Sequence, residues 1–81
     1  MTTDGWDLNG TYNSSMFEVE IKKSIIQSSM KNFLIADHTK YGKIVLTKVV
    51  NIEKFDAIIT DSLPPEDVLE SLKEKGIKII F

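Results

Sequence analysis

Apolar and polar residues follow one another in blocks that predict two helices and four strands. Ser15 and Glu18 have the spacing of a capping box, in which each side chain satisfies a free amide at the start of a helix. The helix is expected to continue to about Ser29. Its apolar residues recur every three to four positions and form one stripe: Phe17, Val19, Ile21, Ile25, Ile26 and Met30. Lys22 and Lys23 are expected on its solvated side.

The predicted strands are short and rich in aliphatic side chains. Residues 33–36 are continuously apolar, which is typical of a strand covered on both faces. Residues 43–50 are β-branched and partly alternating, and predict a second strand. Residues 55–60 and 77–81 predict two more, and residues 51–54 form a polar connection.

A second helix is predicted between the last two strands. It begins after Pro64 and Pro65, where proline is tolerated, and it ends at Gly76. Its apolar stripe consists of Val68, Leu69 and Leu72. Residues 2–15 are rich in turn-forming residues. Alternating helices and short apolar strands predict an α/β fold with a short, mostly parallel sheet and two main helices.

Size and composition limit the functional classes. The chain has 81 residues, enough for a single domain, and a domain this small is marginally stable alone. The net charge is −2 and all ten basic residues are lysines, so no basic field predicts DNA contact. Cysteine is absent and His38 is the only histidine, so we expect neither a metal site nor a cofactor. No signal peptide or membrane span is evident, and a cytoplasmic location is expected.

Acidic residues follow several predicted strands, at the edge where ligands bind to parallel sheets. In the segment DHTK, Asp37 and Lys40 come directly after the strand at residues 33–36. A lysine there can bind a phosphate or carboxylate, and the aspartate can accept a sugar hydroxyl. The alternative is a salt bridge at the strand end. His38 is expected to be an exposed turn residue, and Asp61 takes the same place after residues 55–60.

The segment TTDGWDLNG, residues 2–10, is the second candidate. Asp4 and Asp7 flank Gly5, which can adopt backbone conformations closed to other residues. Two carboxylates beside such a backbone suit sugar hydroxyls, or one of them could serve as a general base. The alternative is two successive turns stabilised by their own Asp and Asn side chains. Trp6 is expected to pack partly buried.

Taken in order, DGWDLNGTY, FLIADHTKYGK, FDAIITD and LPPEDVLESLKEKGIKII resemble the sensor domain of DeoR-type transcriptional regulators. That domain is similar in fold to ribose-5-phosphate isomerase and the coenzyme A transferases. The resemblance implies an effector site, without catalytic residues, formed by two elements. Its residues are Asp4, Gly5, Asp7 and Gly10 from the acidic turn, and Asp37 and Lys40 from the strand end.

The resemblance covers the second half of the sensor domain, so residues 1–81 are expected to be one partial effector-sensing domain. The DNA-binding head of the family has no counterpart in these residues, and no direct DNA contact is expected. The implied partners are a phosphorylated sugar or related metabolite and further copies of the chain, as a dimer or a larger oligomer.

Two alternatives remain open at this stage. One is a sugar-phosphate isomerase fragment, although Lys22 falls where the isomerases carry a glutamate base and Leu8, Asn9 and Gly10 supply no lysine. The other is an association module that binds no ligand.

Overall fold

Six strands and two α-helices alternate along the chain in the computed structural model, which describes all residues from 1 to 81. The strands are β1 (Gly5–Trp6), β2 (Gly10–Asn13), β3 (Phe33–Ile35), β4 (Thr47–Asn51), β5 (Ala57–Ile59) and β6 (Lys78–Ile80). The helices are α1 (Met16–Ser28) and α2 (Glu66–Glu74), and a short 3₁₀ turn, Ile52–Lys54, follows β4. Neither helix has the length and apolar character needed to cross a lipid bilayer.

The predicted parallel sheet is present and has the strand order β3-β5-β6. The first residues of the chain extend it, because Thr2 forms a parallel bridge with Ile35 and the Ile35 amide donates to the Met1 carbonyl at 2.7 Å. The α/β class inferred from the sequence is therefore confirmed. All three strands end at the same edge, where the loops with the candidate side chains begin.

A second, antiparallel sheet with the order β1-β2-β4 was not predicted. The turn-rich N-terminal segment contains a two-stranded hairpin, and the strand expected at residues 43–50 begins only at Thr47 and pairs with β2. Glycine, threonine and asparagine give β1 and β2 no hydrophobic alternation, so the pattern did not reveal them.

The two sheets are joined by a backbone seam between β1 and the segment after β3. The amide of Trp6 donates to the Lys40 carbonyl at 3.1 Å, and the amide of Gly42 donates to the Trp6 carbonyl at 2.8 Å. Gly42 has a positive φ of 84°, a conformation that favours glycine. Through this seam the loop with the DHTK segment lies directly beside the N-terminal hairpin.

The core lies between the parallel sheet and its helical layer. Ten buried residues form it: Trp6, Ile26, Leu34, Ala36, Ile52, Phe55, Ile58, Val68, Leu72 and Ile77. Val68 and Leu72 come from the stripe predicted for α2, and Gly76, with a φ of 77°, follows that helix as expected. Trp6 was expected to be partly buried and is 2% exposed.

Only part of the stripe predicted for α1 faces the core. Phe17 is 78% exposed, and Ile21 and Ile25 are about half exposed, whereas Val19 and Ile26 are buried. The prediction that β3 is covered on both faces is also wrong: Leu34 is fully buried, but Phe33 and Ile35 on the opposite face are exposed. Only one face of the parallel sheet is therefore covered.

Candidate functional site

The seam brings Asp4 and Lys40 to the same region of the molecule. The Asp4 carboxylate accepts hydrogen bonds from the Ser14 amide at 3.0 Å and from the Asn13 side chain at 3.3 Å, both through Oδ2. The bond from Ser14 is the main cause that lowers the pKa of Asp4, and the charges of Lys22 and Lys40 lower it further against the opposing effect of burial. Asp4 is therefore an anion between two lysines.

Lys22 belongs to this region, contrary to the expectation of a solvated helix face. Its ammonium donates to the Thr2 carbonyl at 2.8 Å and to Oδ1 of Asn13 at 3.2 Å. The carboxylate of Glu18 in turn accepts from the Asn13 amide group at 3.4 Å. The Ser15 cap forms as predicted, but the Glu18 side chain bonds Asn13 instead of returning to the helix start. Lys22 thus fixes α1 against the N-terminal strand.

Asp37 is organised by the turn that follows β3. Its Oδ1 accepts hydrogen bonds from the Thr39 amide at 2.9 Å and from the Thr39 hydroxyl. These bonds are the main reason that the pKa of Asp37 lies below its usual value, and the charges of Lys40 and His38 add to the effect. The salt bridge weighed as the alternative at this strand end does not form, because Asp37 and Lys40 make no ion pair.

Lys40 is half-buried, and its ammonium has no hydrogen-bonding or ion-pairing partner within the chain. It is nevertheless close enough to Asp4 and Asp37 to lower the pKa of both carboxyls. Lys40 is therefore a cation beside two carboxylates that are each occupied by other donors. Such a cation is available to an outside anion.

His38 and Asp61 connect the ends of β3 and β5. Nδ1 of His38 lies 2.9 Å from Oδ2 of Asp61, and the His38 amide donates to Oδ1 of Asp61 at 2.7 Å. Both side chains are more than half exposed. The side-chain hydrogen bond is the main cause that raises the pKa of His38 and lowers the pKa of Asp61. His38 is exposed as predicted, and it also fastens two loops together.

Asp7 and Gly10 lie at the opposite end of the β1–β2 hairpin from Asp4. Oδ1 of Asp7 accepts three hydrogen bonds, from the amides of Asn9 and Gly10 and from the Tyr12 hydroxyl, at 2.8 to 3.2 Å. This is the self-stabilised turn that the sequence offered as the alternative for the segment. Asp7 and Gly10 are therefore held in a turn of their own and share no hydrogen bond with Asp4, Asp37 or Lys40, although the charge of Asp7 is close enough to raise the pKa of Tyr41.

The two glycines of the hairpin are required by packing. A Cβ at Gly5 would lie 2.1 Å from the Lys43 carbonyl oxygen, and a Cβ at Gly10 would lie 2.1 Å from that of Val50. Neither distance is tolerated by any larger residue. Gly5 thereby allows β1 to approach the segment that carries Lys40.

A cavity of about 110 Å³ adjoins the strand ends. It is lined by Trp6, Asp37, His38, Tyr41, Thr60, Ser62, Leu63, Pro64 and Pro65. The rings of Trp6 and Tyr41 meet edge to face, with centroids 4.8 Å apart. Burial is the main cause that raises the pKa of Tyr41, so its hydroxyl stays protonated. The cavity offers an aromatic wall beside Asp37.

Asp37 is the one of these carboxylates that lines the small aromatic cavity, whereas Asp4, Lys22 and Lys40 do not line it. No three His, Asp or Glu side chains gather closely enough to share a metal ion. Sequence reasoning missed Lys22 and Asn13, since their contacts join residues 9 to 20 positions apart. The bond between His38 and Asp61 could have been predicted from the sequence, because both residues follow strands of the parallel sheet.

Comparisons with known proteins agree on one family. The family model described as the DeoR C terminal sensor domain matches residues 1–62. An uncharacterized HTH-type transcriptional regulator of Haemophilus influenzae is 32% identical over the whole chain, which covers 32% of that protein. The glycerol-3-phosphate regulon repressor of Escherichia coli is 34% identical over 62 residues, covering 76% of this chain and 25% of the repressor.

The deoxyribose operon repressor of Escherichia coli is 23% identical over 64 residues, covering 79% of this chain and 25% of the repressor. The chain thus spans about a quarter to a third of the length of these curated relatives. The matched part is their C-terminal portion. They are transcriptional regulators and repressors, not enzymes.

Proposed function

We propose that this chain, which belongs to the DeoR family of transcriptional regulators as a segment of the C-terminal sensor domain, binds a phosphorylated sugar or a related anionic metabolite. In this proposal Lys40 holds the phosphate. Asp4 and Asp37 accept hydrogen bonds from the hydroxyl groups of the sugar. Two of the regulators that resemble it are named for glycerol-3-phosphate and deoxyribose, which supports a small polyol or sugar as the effector.

The observation that carries the proposal is the unpaired ammonium group of Lys40 at the carboxyl edge of the sheet. Lys22 is engaged by two oxygen atoms of the chain, whereas Lys40 is engaged by none. A lysine ammonium offers three donors and binds phosphate as a point charge. An anion beside Lys40 would therefore gain a charge-assisted contact without displacing one that already exists.

The two carboxylates have acceptors to spare. Asp4 uses only Oδ2 and Asp37 uses only Oδ1 in bonds within the chain, which leaves the second oxygen of each carboxylate open. Because their pKa values are lowered, both are ionised acceptors at neutral pH. This arrangement favours a ligand with hydroxyl groups next to its phosphate over inorganic phosphate alone.

The proposal also states which part of the sensor domain this chain forms. Residues 1–81 would form one part of the effector-sensing domain and would associate with further copies of the chain. The relatives are about three to four times longer than the segment that matches them. We assign contact with DNA to other parts of such regulators, since this segment has a net charge of −2 and no arginine.

The test is a titration of the isotope-labelled chain with a panel of sugar phosphates, followed by amide chemical shifts. We expect shifts centred on Asp4, Asp37 and Lys40, and none with the same sugars lacking phosphate. Lys40→Gln removes the charged contact and should weaken binding about 10- to 100-fold, the range expected for one hydrogen bond to a charged group.

Lys78→Gln is the matched control, because Lys78 is an exposed lysine without an ion pair at the start of β6, at the opposite edge of the parallel sheet from Lys40. It should leave the affinity within about twofold, as expected for an exposed charge remote from the phosphate. Equal losses in both variants, or shifts confined to surfaces away from Lys40, would contradict the site.

A further inference from the structure

The aromatic cavity at the strand ends is lined by a buried hydrogen-bond donor that has no partner. Trp6 is 2% exposed, yet its indole N–H donates to no atom of the chain. Only the Thr11 hydroxyl is both completely enclosed and without a partner, so the indole N–H is not sealed in the core. It meets open space in the cavity that Trp6 lines. Because an indole N–H can only donate, a ligand atom in this cavity would supply the missing acceptor.

A second donor without a partner lies beside the first. The Tyr41 ring contacts the Trp6 ring edge to face, and the Tyr41 hydroxyl makes no hydrogen bond within the chain. Burial raises the pKa of this hydroxyl, so it keeps its proton at neutral pH. The Thr60 hydroxyl, by contrast, already donates to the Ser62 carbonyl at 3.1 Å. The residues that line the cavity thus include two donors that no acceptor of the chain satisfies.

Asp37 contributes an acceptor to the same cavity. Thr39 occupies Oδ1 of this carboxylate, and Oδ2 has no partner. The lowered pKa of Asp37 keeps it ionised, so the open oxygen can accept a hydrogen bond from a ligand hydroxyl. Asp37 is also close enough to Lys40 for the lysine charge to contribute to that lowering, although Lys40 does not line the cavity. One ligand could therefore contact Lys40 outside the cavity and Asp37 within it.

The size of the cavity limits what can enter. An apolar cavity of about 150 Å³ accommodates one benzene molecule, so about 110 Å³ accommodates about four or five non-hydrogen atoms. A hydroxycarbonyl fragment, in which a carbonyl carbon is bonded to a carbon with a hydroxyl group, has this size, whereas a closed sugar ring is too large. The carbonyl oxygen accepts two hydrogen bonds and donates none, which matches the two donors. A carboxylate suits the cavity less well, because it would add a negative charge beside ionised Asp37.

We propose that the aromatic cavity binds the hydroxycarbonyl end of a short, open-chain sugar phosphate of about three or four carbons. The carbonyl oxygen accepts hydrogen bonds from the indole N–H of Trp6 and the hydroxyl of Tyr41, and the neighbouring hydroxyl of the ligand donates to Asp37. The phosphate stays outside the cavity, at Lys40. The inference rests on the proposed function for the phosphate contact, and it adds the length of the carbon chain and the need for a carbonyl group.

The indole N–H of Trp6 can be observed directly, because the chain contains a single tryptophan. Dihydroxyacetone phosphate has the proposed fragment, and glycerol 3-phosphate is the matched ligand with a hydroxyl in place of the carbonyl. Added to the isotope-labelled chain, the first should move the indole resonance downfield and slow its exchange with water. The second should move it much less and bind about 3- to 10-fold more weakly, the range expected for one neutral hydrogen bond. Glucose 6-phosphate, which is mainly a closed ring, should leave the indole resonance unmoved.

Tyr41→Phe tests the second donor, since it keeps the ring beside Trp6 and removes only the hydroxyl. It should weaken the binding of dihydroxyacetone phosphate about 3- to 10-fold, as expected for one neutral hydrogen bond. Tyr12→Phe is the matched control, because the Tyr12 hydroxyl donates to Asp7 and Tyr12 does not line the cavity. It should leave the affinity within about twofold, as expected for a substitution away from the ligand.

Four results would overturn the inference. An indole resonance that stays in place while the amides of Asp37 and Lys40 shift would exclude the cavity and leave the proposed function unaffected. Equal affinities and equal indole shifts for the two three-carbon ligands would exclude the carbonyl contact, and a comparable indole shift with glucose 6-phosphate would exclude the limit on length. Equal losses in Tyr41→Phe and Tyr12→Phe would exclude the hydroxyl contact. Amides that no sugar phosphate shifts would contradict the proposed function and this inference together.

Discussion

His38 and Asp61 join the loops that follow β3 and β5 at the carboxyl edge of the parallel sheet. The pKa of His38 is raised from 6.5 and the pKa of Asp61 is lowered from 3.8, each mainly by the hydrogen bond between them. A raised histidine pKa stabilises the fold below about pH 6.5 and ceases to do so as the pH rises through the folded-state value. A lowered aspartate pKa stabilises it above about pH 3.8 and ceases to do so as the pH falls through the folded-state value.

We therefore expect the difference in melting temperature between wild type and His38→Gln to be largest near about pH 5 and to shrink by about pH 8. Thermal unfolding followed by circular dichroism across this range measures it. Asp61→Asn should give the same profile, and combining the two substitutions should add nothing further. A difference that stays constant with pH would show that the ion pair is not the cause.

The positions of single residues were predictable from the sequence where they depended only on the strand that the residue follows. Asp37, Lys40 and Asp61 follow strands, and all three lie at the carboxyl edge of the parallel sheet. Lys22 was misjudged, because its environment depends on Thr2, 20 residues away, and not on its own helix. The separation of Asp7 from Asp4 likewise depends on a hairpin whose strands lack apolar alternation.

At the scale of single elements, β3 shows how a continuous apolar run conceals an alternating environment. Leu34 is fully buried, whereas its neighbour Ile35 is 50% exposed on the uncovered face. Both are aliphatic because a parallel strand is ordinarily covered on both sides, so the pattern alone did not distinguish them. The stripe predicted for α1 was right for Val19 and Ile26 and wrong for Phe17, because apolar spacing marks a packing face but does not say what covers it.

Leu34→Ala should lower the free energy of unfolding by about 2–5 kcal/mol, because it leaves a cavity in the core. Ile35→Ala should lower it by less than about 1 kcal/mol, since half of that side chain is already in contact with water. Urea denaturation of both variants measures the two losses. Similar losses for the two variants would mean that the outer face is covered.

For the whole molecule, the sequence predicted a parallel sheet with helices between its strands, but it did not predict a second sheet. The predicted strands were expected to form one short, mostly parallel sheet, yet β4 pairs antiparallel with β2 in a second sheet. A chain of 81 residues with this much exposed apolar surface is expected to gain stability from association.

The melting temperature of the wild-type chain should therefore rise with protein concentration, since dimer formation stabilises the folded state by mass action. Calorimetry of the wild-type chain at several concentrations measures this change. A concentration-independent wild-type value would argue against a dimer that is linked to folding.

Lys40 contributes to the fold through its backbone as well as offering a charged side chain, because its carbonyl is hydrogen-bonded to the amide of Trp6. The backbone carbonyl of Lys40 accepts one of the hydrogen bonds that join the hairpin to the loop after β3. An anion bound by the Lys40 ammonium, as we propose, would therefore contact the same residue whose backbone joins the two sheets.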